Sequence, residues 1–167
     1  ERTVSIMFLT HEKYLKLCDE LPGNYWKEGK NYRWKYIEYV IGIMRTICPD
    51  EKRICEAGTN GIALSSESTK LNYPEYDLNK ILYDVKDKFF NLFVALQVWE
   101  HLDNQQLAFE EVMRISHAAI LSFPYQWNYG DSRHKNITWQ KISKWTCGVK
   151  PISKKIIKER IICVWKF

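Results

Sequence analysis

R-I-C-E-A-G-T-N-G-I, running from Arg53 to Ile62, passes from an apolar pair, Ile54 and Cys55, through an acid, Glu56, into a turn with two glycines, Gly58 and Gly61. A buried strand that ends in a ligand-accessible loop has this composition. Glycine adopts positive φ without penalty and lacks the Cβ that would keep a ligand from the backbone. Open α/β sheets bind their ligands at the carboxyl ends of such strands. Two glycines three apart also occur in ordinary turns, so the stretch by itself leaves both readings open.

The flanking segments decide the fold class. Upstream, Tyr14, Leu15, Leu17 and Cys18 fall at helical spacing within residues 11–21, and Pro22-Gly23 closes that helix. Trp34, Ile37, Ile41, Met44 and Cys48 then recur every three or four residues, an apolar stripe stopped by Pro49. The K-E-G-K-N-Y-R-W stretch ahead of it reads as a lid or a surface loop. Downstream, Ile62–Lys70 is Ser-rich and open to a short helix, and Y-P-E-Y-D-L (Tyr73–Leu78) reads as a short extended segment ending near an acid.

F-F-N-L-F-V-A-L (Phe89–Leu96) is an almost continuous apolar run of strand length, the pattern of a parallel strand buried on both faces. D-N-Q-Q (Asp103–Gln106) has the D-x-x-Q form of a capping box, predicting a helix to about Ile115 with Leu107, Phe109, Val112 and Met113 on its apolar side. A-A-I-L-S-F (Ala118–Phe123) is a second buried strand, ended by Pro124. Ile137–Trp145 reads as a short amphipathic helix, and the C-terminal residues as two antiparallel strands turning near Lys158-Glu159. Strand–helix alternation with a terminal hairpin predicts a three-layer α/β sandwich with a mostly parallel sheet. One domain is expected over 1–167, with an N-terminal helical segment (1–49) and an α/β core (50–167).

Composition narrows the class. A 46% apolar content over 167 residues is globular and supports a real core. The apolar runs fall well short of the ~20 residues that a membrane span needs. The first ten residues, E-R-T-V-S-I-M-F-L-T, carry a short apolar patch without a signal-peptide layout, and with no initiating Met they read as a trimmed start or as the continuation of residues that precede them. The five cysteines (18, 48, 55, 147 and 163) are odd in number and contain no C-x-x-C pair, which fits reduced thiols in a cytoplasmic protein. The net charge of +5, concentrated in lysines of 27–35, 141–144 and 150–158, fits either a solvated basic surface or acidic partners.

Taken in order, these segments resemble the class I S-adenosylmethionine-dependent methyltransferases, which have a Rossmann-like fold. The resemblance covers about residues 50–145: I-C-E-A-G-T-N-G, Y-P-E-Y-D-L, the helix L-A-F-E-E-V-M-R-I and the strand I-L-S-F-P-Y. Its most specific part is A-L-Q-V-W-E-H-L-D-N, which looks like the family's segment ending V-L-E-H-L-x-D/N. The resemblance implies a compact variant that takes S-adenosylmethionine as cofactor. Gly58 and Gly61 would line its methionine and ribose end, with Asn60 in the second glycine position. Glu56 would orient the loop and the ligand's amino group. Asp77 would stand on the adenine side, and Ala95–Gln97 would form the wall under the sulfonium.

Methyl transfer requires positioning and removal of a proton from the acceptor. The loop after the fifth family strand supplies the acceptor-side candidates: Tyr125, Trp127 and Asp131 for the pocket, and His134 as general base, with His101 as the other histidine. A subgroup with P-E-Y-D, E-H-L and D-x-x-H before a helix accompanies sugar and cell-surface polysaccharide pathways. That implies a sugar or other small hydroxylated acceptor, methylated on O or N. No metal is implied, because Gln97 replaces the first acid of the E-x-x-E-H pattern.

The departures matter equally. The usual E/D-x-G-x-G-x-G turn has Asn60 and Ile62 in place of two glycines, and the stretch between Gly61 and Phe89 is too short for the family's two helices and two strands. One helix, with most of the second strand, must be trimmed, and the ribose-binding acid at that strand's end is then Glu67, Glu75 or none. Two rival readings follow: a methyltransferase-fold partner protein without catalysis, and, ranked lower, an RNA-directed methyltransferase using basic and aromatic surface.

Overall fold

The computed structural model describes residues 8–50 and 52–167, so most of the apolar patch read at residues 1–10 lies outside the described residues. The sheet is built from β1 (Ile54–Ala57), β2 (Thr69–Lys70), β3 (Leu92–Leu96), β4 (Ala118–Pro124), β5 (Ser153–Ile157) and β6 (Arg160–Lys166), in the order β2-β1-β3-β4-β6-β5. The first four pair in parallel, with Cys55 opposite Thr69, Ala57 opposite Ala95, and Ala95 opposite Leu121. Strand β6 runs antiparallel to both β4 and β5. This is the expected mixed, mostly parallel sheet with a terminal antiparallel pair.

Both faces of the sheet are covered, which explains the unbroken apolar runs. Side chains alternate along a strand. Ile54, Leu92, Val94, Ile120, Ile162 and Val164 enter one core with α1 (His11–Glu20) and α2 (Lys30–Ile47), through Tyr14, Trp34, Ile37, Val40 and Met44. Their neighbours Cys55, Phe93, Ala95, Leu121, Phe123, Cys163 and Trp165 enter a second core with α3 (Gln105–Ile115) and α4 (Trp139–Trp145), through Phe109, Val112, Ile115 and Ile142. The result is three layers, helix on sheet on helix.

Four local expectations are corrected. The Ser-rich stretch forms no helix. It wraps the carboxylate of Glu56 and ends in the two-residue β2. Tyr73–Leu78 is a series of turns rather than an extended strand, so neither helix nor full strand remains between β2 and β3. Helix α3 has Asn104 rather than Asp103 at its cap position, without a side-chain cap: Asn79 Oδ1 accepts from the backbone N–H of Asp103 at 2.7 Å and of Asn104 at 2.9 Å, so a neighbouring loop holds the chain where it enters the helix. Most of the K-E-G-K-N-Y-R-W stretch is the first turn of α2, with Gly29 at φ 68° leading into Lys30.

Candidate functional site

At the carboxyl ends of β1 and β3 lies a cavity of about 250 Å³. Its floor is the strand-end chain Glu56–Asn60 and Leu96–Gln97, and its inner wall carries Glu100, His101 and His134. Tyr25, Trp26, Tyr36 and Ile37, from α2 and the loop before it, roof it over. A second, more open cavity of about 670 Å³ shares Tyr25, Gln97 and His134 with the first, and adds Tyr32, Trp127, Tyr129, Asp131 and Arg160.

The floor has a braced geometry. The Glu56 side chain is buried under the loop, where its carboxylate accepts from the backbone N–H of Leu64 at 2.7 Å and of Ser65 at 3.2 Å, and from the Ser68 hydroxyl. The Lys70 ammonium lies 3.9 Å away and donates to the Ser68 carbonyl and hydroxyl. Gly58 has φ +66°, and a Cβ there would stand 2.5 Å from Val98 Cγ2. Gly61 has φ +89°, and its Cβ would approach Leu21 Cδ2 at 3.1 Å rather than face the cavity. Asn72, just past β2, accepts from Thr59 N at 3.1 Å and donates to Thr59 Oγ1 at 3.0 Å, which fixes the middle of the turn.

The inner wall follows from how β3 ends. Gln97 takes φ +57° and donates its backbone N–H to the Ser122 carbonyl at 3.0 Å. The chain then makes a 3₁₀ turn over Trp99–His101, anchored by the buried Trp99 ring, whose Nε1 donates to Gln105 O at 3.1 Å and which packs at right angles to the Phe93 ring. That anchoring turns Glu100 inward. Glu100 is 4% exposed, and neither of its carboxylate oxygens has a hydrogen-bond partner. Burial raises its pKa to about 7. His101 Nε2 stands 3.8 Å from Glu100 Oε1, and the His101 and His134 rings are 4.9 Å apart. Desolvation first, then the charges of His134 and Arg133, lower the His101 pKa and favour its neutral form. His134 Nδ1 is held 2.9 Å from Asp131 Oδ1. The amide nitrogen of Gln97 is also buried without a partner.

The sequence candidates therefore divide. Glu56, Gly58, Asn60, Gln97, His101 and His134 converge on the inner cavity, and Trp127 and Asp131 line the outer one. Gly61 points to Leu21. Tyr125 packs against the second core and donates its backbone N–H to Glu159 O. Asp77 stands apart in a shallow cavity with Pro74 and Tyr83, holding Asn79 N at 3.0 Å and Lys80 at 3.5 Å. Glu67 and Glu75 line neither of the two cavities. Sequence reasoning missed the aromatic roof and Arg160. The guanidinium of Arg160 sits 4.6 Å from the Tyr36 ring centre and 5.2 Å from that of Trp127, its Nε unpartnered. The Tyr25-Trp26 pair ahead of the α2 stripe was the available signal for the roof. Arg160, inside an apolar strand run, gave none.

No protein-family model matches the chain, and no curated protein matches it in sequence. Solved structures do match in shape. A magnesium protoporphyrin IX methyltransferase from Synechocystis, solved with bound S-adenosylhomocysteine, aligns at TM-score 0.55 and 11% identity over 86% of this chain and 87% of its own. A methyltransferase from Thermotoga maritima dependent on S-adenosylmethionine aligns at 0.51 and 10%, over 83% and 95%. A [4+2]-cyclase aligns at 0.52 and 9% over 71% of this chain but only 59% of its own length. The chain thus has the methyltransferase fold. The cyclase among its neighbours illustrates that this fold does not dictate one reaction.

Proposed function

We propose that this chain binds S-adenosylmethionine at the β1–β3 cavity and transfers its methyl group to an oxygen or nitrogen of a small acceptor entering from the outer cavity. The carrying observation is the pair of buried, unpartnered polar groups, Gln97 and Glu100, facing a cavity at the strand ends of this fold. Buried polar groups without partners are rare, and here they favour a ligand with its own polar and cationic groups.

The donor set fits one half of the cofactor better than the other. The backbone of Gly58–Asn60 and the Gln97 amide suit the zwitterionic methionine end. On the ribose side, Glu56 is spent on the loop, Lys70 on Ser68 and Glu56, and Asn72 on Thr59. Among the described residues, Glu56 and Glu100 are the acids that line the cavity; Glu56 is thus spent, Glu100 stands with the histidines on the inner wall, and Asp77 lies outside it. S-adenosylmethionine, when bound, supplies an activated methyl group. The chain's own residues hold the acceptor against the stacked Trp127 and Tyr129 rings and Arg160, exclude water with the Tyr25–Trp26 roof, and take up its proton at the Glu100–His101–His134 wall. A sugar or related hydroxylated compound suits this aromatic and cationic groove.

The ribose side also favours a second reading, a methyltransferase-fold partner protein that binds no cofactor. Calorimetry and thermal shift with S-adenosylmethionine and S-adenosylhomocysteine separate the two. The first predicts saturable heat that Gln97→Ala weakens at least about tenfold. Silence in both assays at about millimolar ligand, where even a Kd of ~10⁻³ M would register, leaves the second.

A further inference from the structure

We propose that Glu100, His101 and His134 bind a divalent transition-metal ion at the inner wall of the cavity. One donor atom from each, a carboxylate oxygen and two imidazole nitrogens, lies within 4.8 Å of the others. Donors about 2.0–2.1 Å from a tetrahedral ion stand ~3.3 Å apart, so the side chains need close by no more than ~1.5 Å, within the reach of χ rotations.

Two further observations distinguish this group from an incidental cluster. Glu100 is buried, and both of its oxygens lack a hydrogen-bond partner. A buried charge without a partner is costly unless it coordinates a metal or is neutralised. His134 is oriented by Asp131, whose carboxylate engages Nδ1 at 2.9 Å and leaves Nε2 as the coordinating nitrogen. Carboxylate–histidine–metal relays have this form.

Two histidines and one carboxylate, with the fourth direction open to the cavity, make a site with an exchangeable position. An ion there would occupy the donors that the metal-free wall offers a proton, and would act instead by polarising a hydroxyl or water entering from the outer cavity. The third ligand comes from the loop after β4 rather than from position 97, where the sequence pattern carries Gln. The inference does not depend on cofactor binding, and its test contains no cofactor.

Chelator-treated, tag-free protein should bind one Co²⁺ per chain in calorimetry, develop visible d–d absorption, and unfold at higher temperature with Co²⁺ or Zn²⁺ present. Glu100→Gln, nearly isosteric, should weaken Co²⁺ binding at least about tenfold, and Asp131→Asn, which alters only the orienting partner, by roughly 10–100-fold. If circular dichroism shows Glu100→Gln misfolded, His101→Ala, at a side chain 44% exposed, carries the same expectation. Failure of folded protein to bind either ion at about millimolar concentration, or Co²⁺ binding that survives Glu100→Gln or His101→Ala, overturns the proposal.

Discussion

At the residue scale, Glu56 and Gly58 hold the turn that floors the cavity. Glu56 satisfies two backbone N–H groups, those of Leu64 and Ser65, in a loop with no ladder of its own. Glu56→Ala would leave those donors buried and unpaired, a loss of about 2–4 kcal/mol measurable as a fall in the urea midpoint. Glu56→Gln keeps an acceptor and should lose less than half as much. Gly58→Ala meets two obstacles, a positive φ and a contact with Val98 Cγ2 at 2.5 Å. It should cost at least about 2 kcal/mol. Adding Val98→Ala should recover the steric part and leave the φ part of about 1 kcal/mol; a double mutant no more stable than Gly58→Ala would place the whole cost in the backbone. The sequence made both residues legible as members of a strand-end turn. It could not show that Val98 and Leu21 fill the space beside the glycines, because those contacts come from other segments.

At the element scale, the runs with strong local signals were readable and the shortened ones were not. Strands β3, β4 and β6 declare themselves because burial on both faces demands unbroken apolar residues. Helices α1 and α2 declare themselves by periodicity. The stretch between β2 and β3 has neither signal, since its order comes from side-chain bonds to α3. The β5–β6 turn was legible in position, though not in strain. Lys158 and Glu159 have φ +49° and +59°, the two-residue geometry that favours Asn-Gly. External contacts hold it: Tyr125 N and Trp127 Nε1 both donate to Glu159 O, and Tyr129 OH to Glu159 Oε2. Lys158→Asn accepts that φ more readily and leaves those contacts intact, so it should stabilise the protein by about 0.5–1 kcal/mol in denaturant unfolding. A destabilised variant would mean that the Lys158 contact with the Tyr32 ring outweighs the backbone term.

At the scale of the whole molecule, one arginine substitutes for the secondary structure missing between β2 and β3. Arg114, on α3, donates to the carbonyls of Leu82 and Val85, to Asp87 and to both oxygens of Glu111. Glu111 accepts in turn from Leu82 N at 2.9 Å. Residues 82–87 are thereby tied to a helix of the second core, and through it to the sheet that carries the cavity. Arg114→Met should release this segment, raising amide exchange across 80–89 while β3 and β4 stay protected, with an overall loss of about 2–4 kcal/mol. The loss should depend on pH. Arg114 first, together with the Leu82 N–H, lowers the pKa of Glu111 in the folded state. A lowered carboxylate pKa contributes stability that is present above the unfolded value of about 4.3 and disappears as pH falls through the folded value. The gap between wild type and Arg114→Met in urea midpoint should therefore be full at neutral pH and narrow below about pH 4 as Glu111 is protonated. A gap unchanged from neutral to acid pH would show that the carbonyl contacts, rather than the ion pair, hold the segment in place.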